Sequence, residues 1–168
     1  MGYDVHKMTE GRQDATIMVA YLEQKERTDE ALLATTAKED RLLNEIEEMV
    51  AMNCTAVDIA YSPNDLYRLK REGKKAIMLG IENGYAIGKD LSRVAHFRKR
   101  GVVYMTLCHN GNNDICGSAR YNEENLGVTP FGEQVIQEMN RLGMMVDLSH
   151  SGERTFYETL DISSQPVV

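Results

Sequence analysis

The sequence predicts an α/β protein built on a parallel sheet, and three observations carry the prediction. Short apolar runs alternate with longer stretches whose apolar residues recur at helical spacing. Ser, Thr, Pro and Gly punctuate that alternation where helices would begin and end, and few insertions interrupt it. Three of the apolar runs end in a carboxylate or an imidazole.

The elements follow in order. DATIMVAYL, near residues 14 to 22, is an apolar, β-rich run. From Thr28 to about Asn53 the apolar residues Leu32, Leu33, Leu42, Leu43, Ile46, Met49 and Val50 recur at helical spacing, with Thr28 as N-cap ahead of Asp29 and Glu30. Residues 54 to 60 are ambiguous. Ser62-Pro63 then opens a helix that closes at Gly73, in the order cap, proline, glycine. KKAIMLGIE reads as a buried strand, a helix spans about Asp90 to Arg100, and VVYMTLCH is the next strand. The segment from Asn110 to Thr129 is long and polar, the kind of loop that usually serves as a lid or ligand-binding segment. Pro130 starts a helix with Phe131, Val135, Ile136, Met139 and Leu142 on one face. MMVDLSH, a helix from about Gly152 to Leu160, and QPVV as the opening of one more strand complete the chain. Such β-α units build either an open doubly wound sheet or a section of a (β/α)8 barrel. No GxGxxG or Walker-type glycine loop follows a strand, which disfavours nucleotide binding.

Composition narrows the function. At 168 residues, with 42% hydrophobic and 27% charged residues, the chain is expected to fold as one domain over residues 1–168. A net charge of -7, with no basic cluster richer than Arg98-Lys99-Arg100, argues against a nucleic-acid partner. No apolar run approaches the ~20 residues of a membrane span, and the first residues lack the apolar core of a secretory signal, so the chain reads as soluble. Cys54, Cys108 and Cys116 match no CxxC motif and read as free thiols. Cys108 neighbours His109, but adjacent strand residues face opposite ways, so Cys108 is expected to pack in the core.

The chemistry is expected at the C-terminal ends of the strands, where α/β folds place their sites. KKAIMLGIE ends at Glu82, VVYMTLCH at His109 and MMVDLSH at His150. Any one of them alone would be an ordinary cap or a satisfied polar residue. Three at equivalent ends converge on one rim. His6 and His96 lack such placement, and solvent exposure is the default for both. Carboxylate and imidazole without thiolate suit a catalytic zinc or similar divalent ion, so metal-assisted hydrolysis is the leading reaction class. A histidine that does not ligate can donate to the oxyanion of a tetrahedral intermediate.

GIENGYAIGKDLSRVAHFRKRGVVYMTLCHNGNND, then GVTPFGEQVIQEMNRLGMMVDLSHSGERTF and PVV, resemble the central region of the membrane (renal-type) dipeptidases. The weaker EGRQDATIMVAYLEQ is similar to the segment after that family's first metal-binding strand. The resemblance implies a partial (β/α)8 barrel, with parallel strands, outer helices and a two-zinc site that hydrolyses dipeptides. It matches Glu82 to the carboxylate bridging two Zn2+ ions, His150 to a zinc ligand, and His109 to the histidine that contacts substrate and stabilises the intermediate. The family usually has Glu-Gly-Gly-His where this chain has Glu82-Asn83-Gly84-Tyr85.

Other family features have no counterpart here. His6-Lys7-Met8 does not supply the His-x-Asp pair, and the second histidine ligand, the substrate-holding arginine and the aspartate would fall past Val168. The first strand and the C-terminal strands of a barrel are therefore expected to be missing. Two recovered ligands should hold zinc weakly and leave the chain by itself nearly inactive. Exposed barrel edges should drive self-association. Two readings compete: a non-catalytic remnant acting as a binding or assembly module, and a different metal-dependent amidohydrolase.

Overall fold

In the computed structural model, which describes residues 4–168, the alternation becomes five parallel strands and six helices among the described residues. Asp4 caps a short first helix, α1 (Val5–Glu10), by accepting the Lys7 N–H. β1 (Ala15–Tyr21) leads to the long α2 (Asp29–Met52), whose cap is Thr28 and whose inward stripe is Leu32, Thr35, Glu39, Leu43 and Val50. The ambiguous run holds β2 (Val57–Ile59), too short to display a period. Ser62 caps α3 (Pro63–Arg71), and β3 (Lys75–Glu82) follows, ending in a single 3-10 turn over Gly84–Ile87. α4 (Ser92–Lys99) begins two residues later than the sequence suggests. The Asp90 carboxylate accepts both the N–H and the hydroxyl of Ser92 and so holds the residues before it in a turn.

β4 (Val102–Thr106) and β5 (Met145–Asp147) flank α5 (Pro130–Leu142), which runs from the Thr129 cap to a left-handed Gly143. α6 (Glu153–Ile162) comes last. Beyond it, the Val168 N–H donates to Val146 O and Val168 O accepts from the Leu148 N–H, both at 2.9 Å, so the final residues pair alongside β5.

Sheet order separates the two architectures left open above. β1, β3, β4 and β5 lie side by side in chain order and all run parallel. A doubly wound sheet reverses its strand order at a switch point, whereas a barrel wall never does. This sheet is a section of barrel wall. β2 stands apart, pairing with residues 75–77 of β3 on the edge that β4 takes further along.

Alternation of side chains divides the wall into two faces. Ile77, Leu79, Ile81, Met105 and Val146 are buried and join Leu43, Phe97, Val135 and Met139 in the main core. The other face carries Val19, Gly80, Tyr104 and Met145, each paired with the next across the four strands. Gly80 is required there. A Cβ would stand 2.8 Å from Ile17 Cγ2 and 3.0 Å from both Val19 and Tyr104, so any larger residue would push β1 and β4 away. Two residues further along, Tyr21 pairs with Glu82 and Thr106 with Asp147. The apolar lining thus turns polar at the C-terminal rim.

Among the described residues β1 pairs only with β3, leaving its other edge without a strand. A groove of about 660 Å³, lined by Met18, Val19, Leu42, Ile46 and Met49 among others, runs along that edge. No helix among the described residues is long and apolar enough to cross a membrane.

Candidate metal centre

Glu82 is the last residue of β3, and the chain bends away from it at once because Asn83 adopts φ +88°. Asparagine tolerates that region better than most residues. Its buried side chain then joins three segments: Nδ2 donates to Leu22 O at 3.0 Å, and Oδ1 accepts from Tyr85 N at 3.1 Å and from Asn113 Nδ2 at 3.2 Å. Gly84 keeps the family's second glycine, since a Cβ there would stand 2.8 Å from Leu107 O. Tyr85, the other departure, donates its hydroxyl to Glu26 O at 2.6 Å. The unusual Asn83 and Tyr85 therefore tie the β1 loop to the β3 end and leave Glu82 facing the rim. Asn83→Ala should destabilise the fold by about 1–3 kcal/mol, the cost of stranding buried partners, as read from a urea titration.

The two histidines lie past their strands rather than at their last residues. β4 stops at Thr106 and β5 at Asp147. In β5 the cause is visible: Asp147 Oδ1 accepts the Ser149 N–H and hydroxyl, a turn that leads into a left-handed His150 with φ +65°. Asp147 Oδ2 accepts the Thr106 hydroxyl at 2.6 Å, which anchors that turn to β4. Burial, followed by a hydrogen bond to Asp147, pushes the nearby Tyr104 hydroxyl up to about 12.

One serine secures both histidines. Ser118, buried in the long loop, has its hydroxyl 2.5 Å from His109 O and 3.3 Å from His150 O. Ala119 N–H also donates to His150 O at 2.8 Å, which helps hold a backbone conformation that costs non-glycine residues about 1–3 kcal/mol. The polar loop is not a free lid. Asn112 accepts from Ser118 N, Asn113 accepts from Ile115 N and Cys116 N, and Asn122 bonds Leu126 in both directions. Its asparagines replace the strand ladder that the segment lacks.

Together these constraints bring three side chains to one point. His109 Nε2 lies 3.4 Å and His150 Nε2 3.6 Å from the same Glu82 oxygen, and one donor atom from each residue falls within 4.8 Å of the others. The imidazole rings lie tilted at 44° to each other with centroids 4.1 Å apart. Burial holds the His109 imidazole below the usual histidine range, and the neighbouring His150 adds to that, outweighing the pull of Glu82. A carboxylate and two imidazoles are the donors that zinc and similar divalent ions take, and their spacing fits such an ion.

Sequence reasoning missed a fourth rim residue. The Tyr21 hydroxyl lies 3.3 Å from His109 Nδ1, and its ring centroid 4.7 Å from the imidazole. Burial raises the Tyr21 hydroxyl above its ordinary value, with Glu23 and Glu82 adding to the effect. The remaining histidines lie elsewhere. His6 is largely exposed, beside Glu10. His96 is exposed, as expected, and bonds the Asp40 carboxylate at 3.0 Å. Cys108 and Cys116 are buried free thiols, so Cys108 packs in the core as expected.

A family model described as membrane dipeptidase, peptidase family M19, matches residues 1–168. The chain belongs to that family. It is 29% identical over 170 residues to dipeptidase tcpJ of Claviceps purpurea (strain 20.1), a match covering 98% of this chain and 40% of the relative. It is 32% identical over 133 residues to dipeptidase 3 of Mus musculus, covering 76% of this chain and 27% of that one. Among solved structures, the probable dipeptidase PvdM from Pseudomonas aeruginosa superposes with a TM-score of 0.88 at 27% identity, over 98% of this chain and 44% of its own. A metallo peptidase from Rhodobacter sphaeroides, 17% identical with a TM-score of 0.86, shares the fold over 98% of this chain and 54% of its own. The chain therefore spans less than half the length of these curated dipeptidase relatives. An α/β wall with outer helices, part of a barrel, is what the membrane dipeptidase family shares with it.

Proposed function

We propose that this chain is the central section of a metal-dependent dipeptidase, and that its rim of Glu82, His109 and His150 belongs to the site that hydrolyses a dipeptide amide. The observation that carries the proposal is the convergence of the three side chains from the ends of β3, β4 and β5 within 4.8 Å. Membership in a family of dipeptidases supports a dipeptide as the substrate.

Glu82 and His150 would hold the metal, with the Glu82 carboxylate able to serve two ions and zinc as the favoured identity. Bound there, the metal would polarise the amide carbonyl and lower the pKa of a water. His109 has a separate task. When its Nδ1 accepts from the Tyr21 hydroxyl, its proton sits on Nε2, pointing into the rim, where it can donate to the oxygen of the tetrahedral intermediate. Ser118 and Asn83 would fix the loops that carry these groups.

The test is turnover of L,L- and L,D-dipeptides by the zinc-loaded full-length protein. Release of free amino acids supports the reading; a folded, metal-loaded protein inert toward every dipeptide would end it. The 168-residue chain by itself should turn over little or nothing, because a two-ion site needs more donors than these three. The chain should also self-associate through the bare edge of β1 and its apolar groove, seen as oligomers in light scattering. A monodisperse monomer at micromolar concentration would contradict that.

A further inference from the structure

We infer that Tyr21 is the positioning residue of the rim: its hydroxyl, 3.3 Å from His109 Nδ1, keeps the His109 proton on Nε2, the nitrogen that faces the substrate side. The inference rests on the role proposed for His109 and adds what selects the tautomer of that ring.

The two nitrogens of the imidazole meet different chemistry. A neutral imidazole has one N–H and one lone pair, and the groups opposite decide which nitrogen takes which. His109 Nε2 stands 3.4 Å from a Glu82 oxygen, and a carboxylate offers only lone pairs. A lone pair on Nε2 would be repelled there, so Nε2 takes the proton. Nδ1 is then an acceptor and needs a donor. The Tyr21 hydroxyl is its partner among the described residues, and a phenol O–H can rotate to donate. A ring turned over would present carbons to both Tyr21 and Glu82 and lose both contacts. When Glu82 turns to other ligands it no longer holds the Nε2 proton, and Tyr21 alone keeps it in place.

Backbone pairing, rather than core packing, puts the phenol there. Tyr21 closes β1 opposite Glu82 in the parallel ladder. One residue on, the Leu22 N–H donates to Glu82 O at 3.4 Å and Leu22 O accepts from Asn83 Nδ2 at 3.0 Å. Those bonds fasten the end of β1 to the end of β3, so hydroxyl and carboxylate meet His109 from two fixed sides. The Ser118 hydroxyl holds the His109 carbonyl from a third. The Tyr21 ring lies at 59° to the imidazole, yet Tyr21 is 40% exposed and outside the buried core. Its hydroxyl therefore contributes little to stability, and Tyr21→Phe removes the donor while keeping the ring.

Two measurements test the inference. In the 168-residue chain labelled with nitrogen-15 histidine, at a pH where the ring is neutral, His109 Nε2 should show the pyrrole-type shift of a protonated nitrogen. Nδ1 should show the pyridine-type shift of a lone pair, with His109→Gln identifying the signals. Tyr21→Phe should move both shifts toward the average of the two tautomers. In the full-length protein the same variant should lower kcat for dipeptides about tenfold, with KM changed less than about twofold. That loss is smaller than the roughly 10²–10³-fold expected when an oxyanion donor itself is removed. Tyr67→Phe, on the exposed side of α3, should change neither readout. A proton on Nδ1 in the wild type overturns the inference, and so does a Tyr21→Phe protein with wild-type shifts and kcat. A raised KM at unchanged kcat overturns it as well, because Tyr21 would then be a substrate contact. A full-length protein that shows the Nε2 tautomer yet cleaves no dipeptide would instead sink the proposed function and leave the Tyr21 assignment standing.

Discussion

Replacing Glu39 by leucine is expected to stabilise the chain at pH 8 by several kcal/mol and to remove most of the pH dependence of its unfolding between pH 5 and 8. Glu39 lies on the inward stripe of α2, fully buried, and neither carboxylate oxygen has a hydrogen-bond partner. Burial, reinforced by repulsion from Asp40, raises its carboxyl from 4.5 to about 8. The folded chain therefore keeps a proton that the unfolded chain loses. Between about pH 4.5 and 8 the unfolded state binds fewer protons, so stability falls as pH rises, by on the order of 4 kcal/mol across the window. Below pH 4.5 both states are protonated and the penalty vanishes.

Urea titrations at pH 5, 6.5 and 8 of wild type, Glu39→Gln and Glu39→Leu isolate the effect. The glutamine variant cannot ionise and should lose the slope, though its amide remains unpartnered. Leucine removes the polar atoms as well and should be the most stable of the three at pH 8. Parallel pH slopes in wild type and Glu39→Gln would show that Glu39 does not hold its proton in the fold.

Much of this architecture was legible because it is written locally. Thr28, Ser62-Pro63 and Thr129-Pro130 state helix starts by their own chemistry, and the structure caps helices at each of them. The rule that α/β sites gather at C-terminal strand ends pointed to Glu82, His109 and His150, which the structure brings within 4.8 Å of one another, and set His6 and His96 aside. Tyr21 escaped because its place depends on register: only the pairing of Tyr21 with Glu82 puts it on the rim, and nothing within DATIMVAYL specifies the partner strand. Ser118 escaped for a related reason. A hydroxyl in a polar loop gains meaning only when the loop folds back beneath two carbonyls 9 and 32 residues away. The early end of β5 followed side-chain bonds from Asp147 to Ser149, which compete with the ladder and carry no periodic signal.

Glu82→Gln in the full-length protein should lower kcat/KM for dipeptides about 10³-fold, roughly 4 kcal/mol of transition-state stabilisation, while hardly changing the unfolding midpoint. The two halves of that result have different origins. Glu82 is about 29% exposed and its contacts are two imidazoles, at 3.4 and 3.6 Å, so loss of its charge removes little from the fold, under about 1 kcal/mol. The amide of glutamine has nearly the same shape, so β3 and the Asn83 turn should stand. What disappears is the only anionic donor of the triad, the charge that on the proposed reading would hold a divalent ion together with His150. Metal content should fall with activity, and excess zinc should restore neither fully. Glu82→Asp retains the charge on a shorter arm and should bind the ion yet misplace it, giving an intermediate loss. Activity within tenfold of wild type in a metal-loaded Glu82→Gln protein would remove Glu82 from the centre and place the chemistry on other residues.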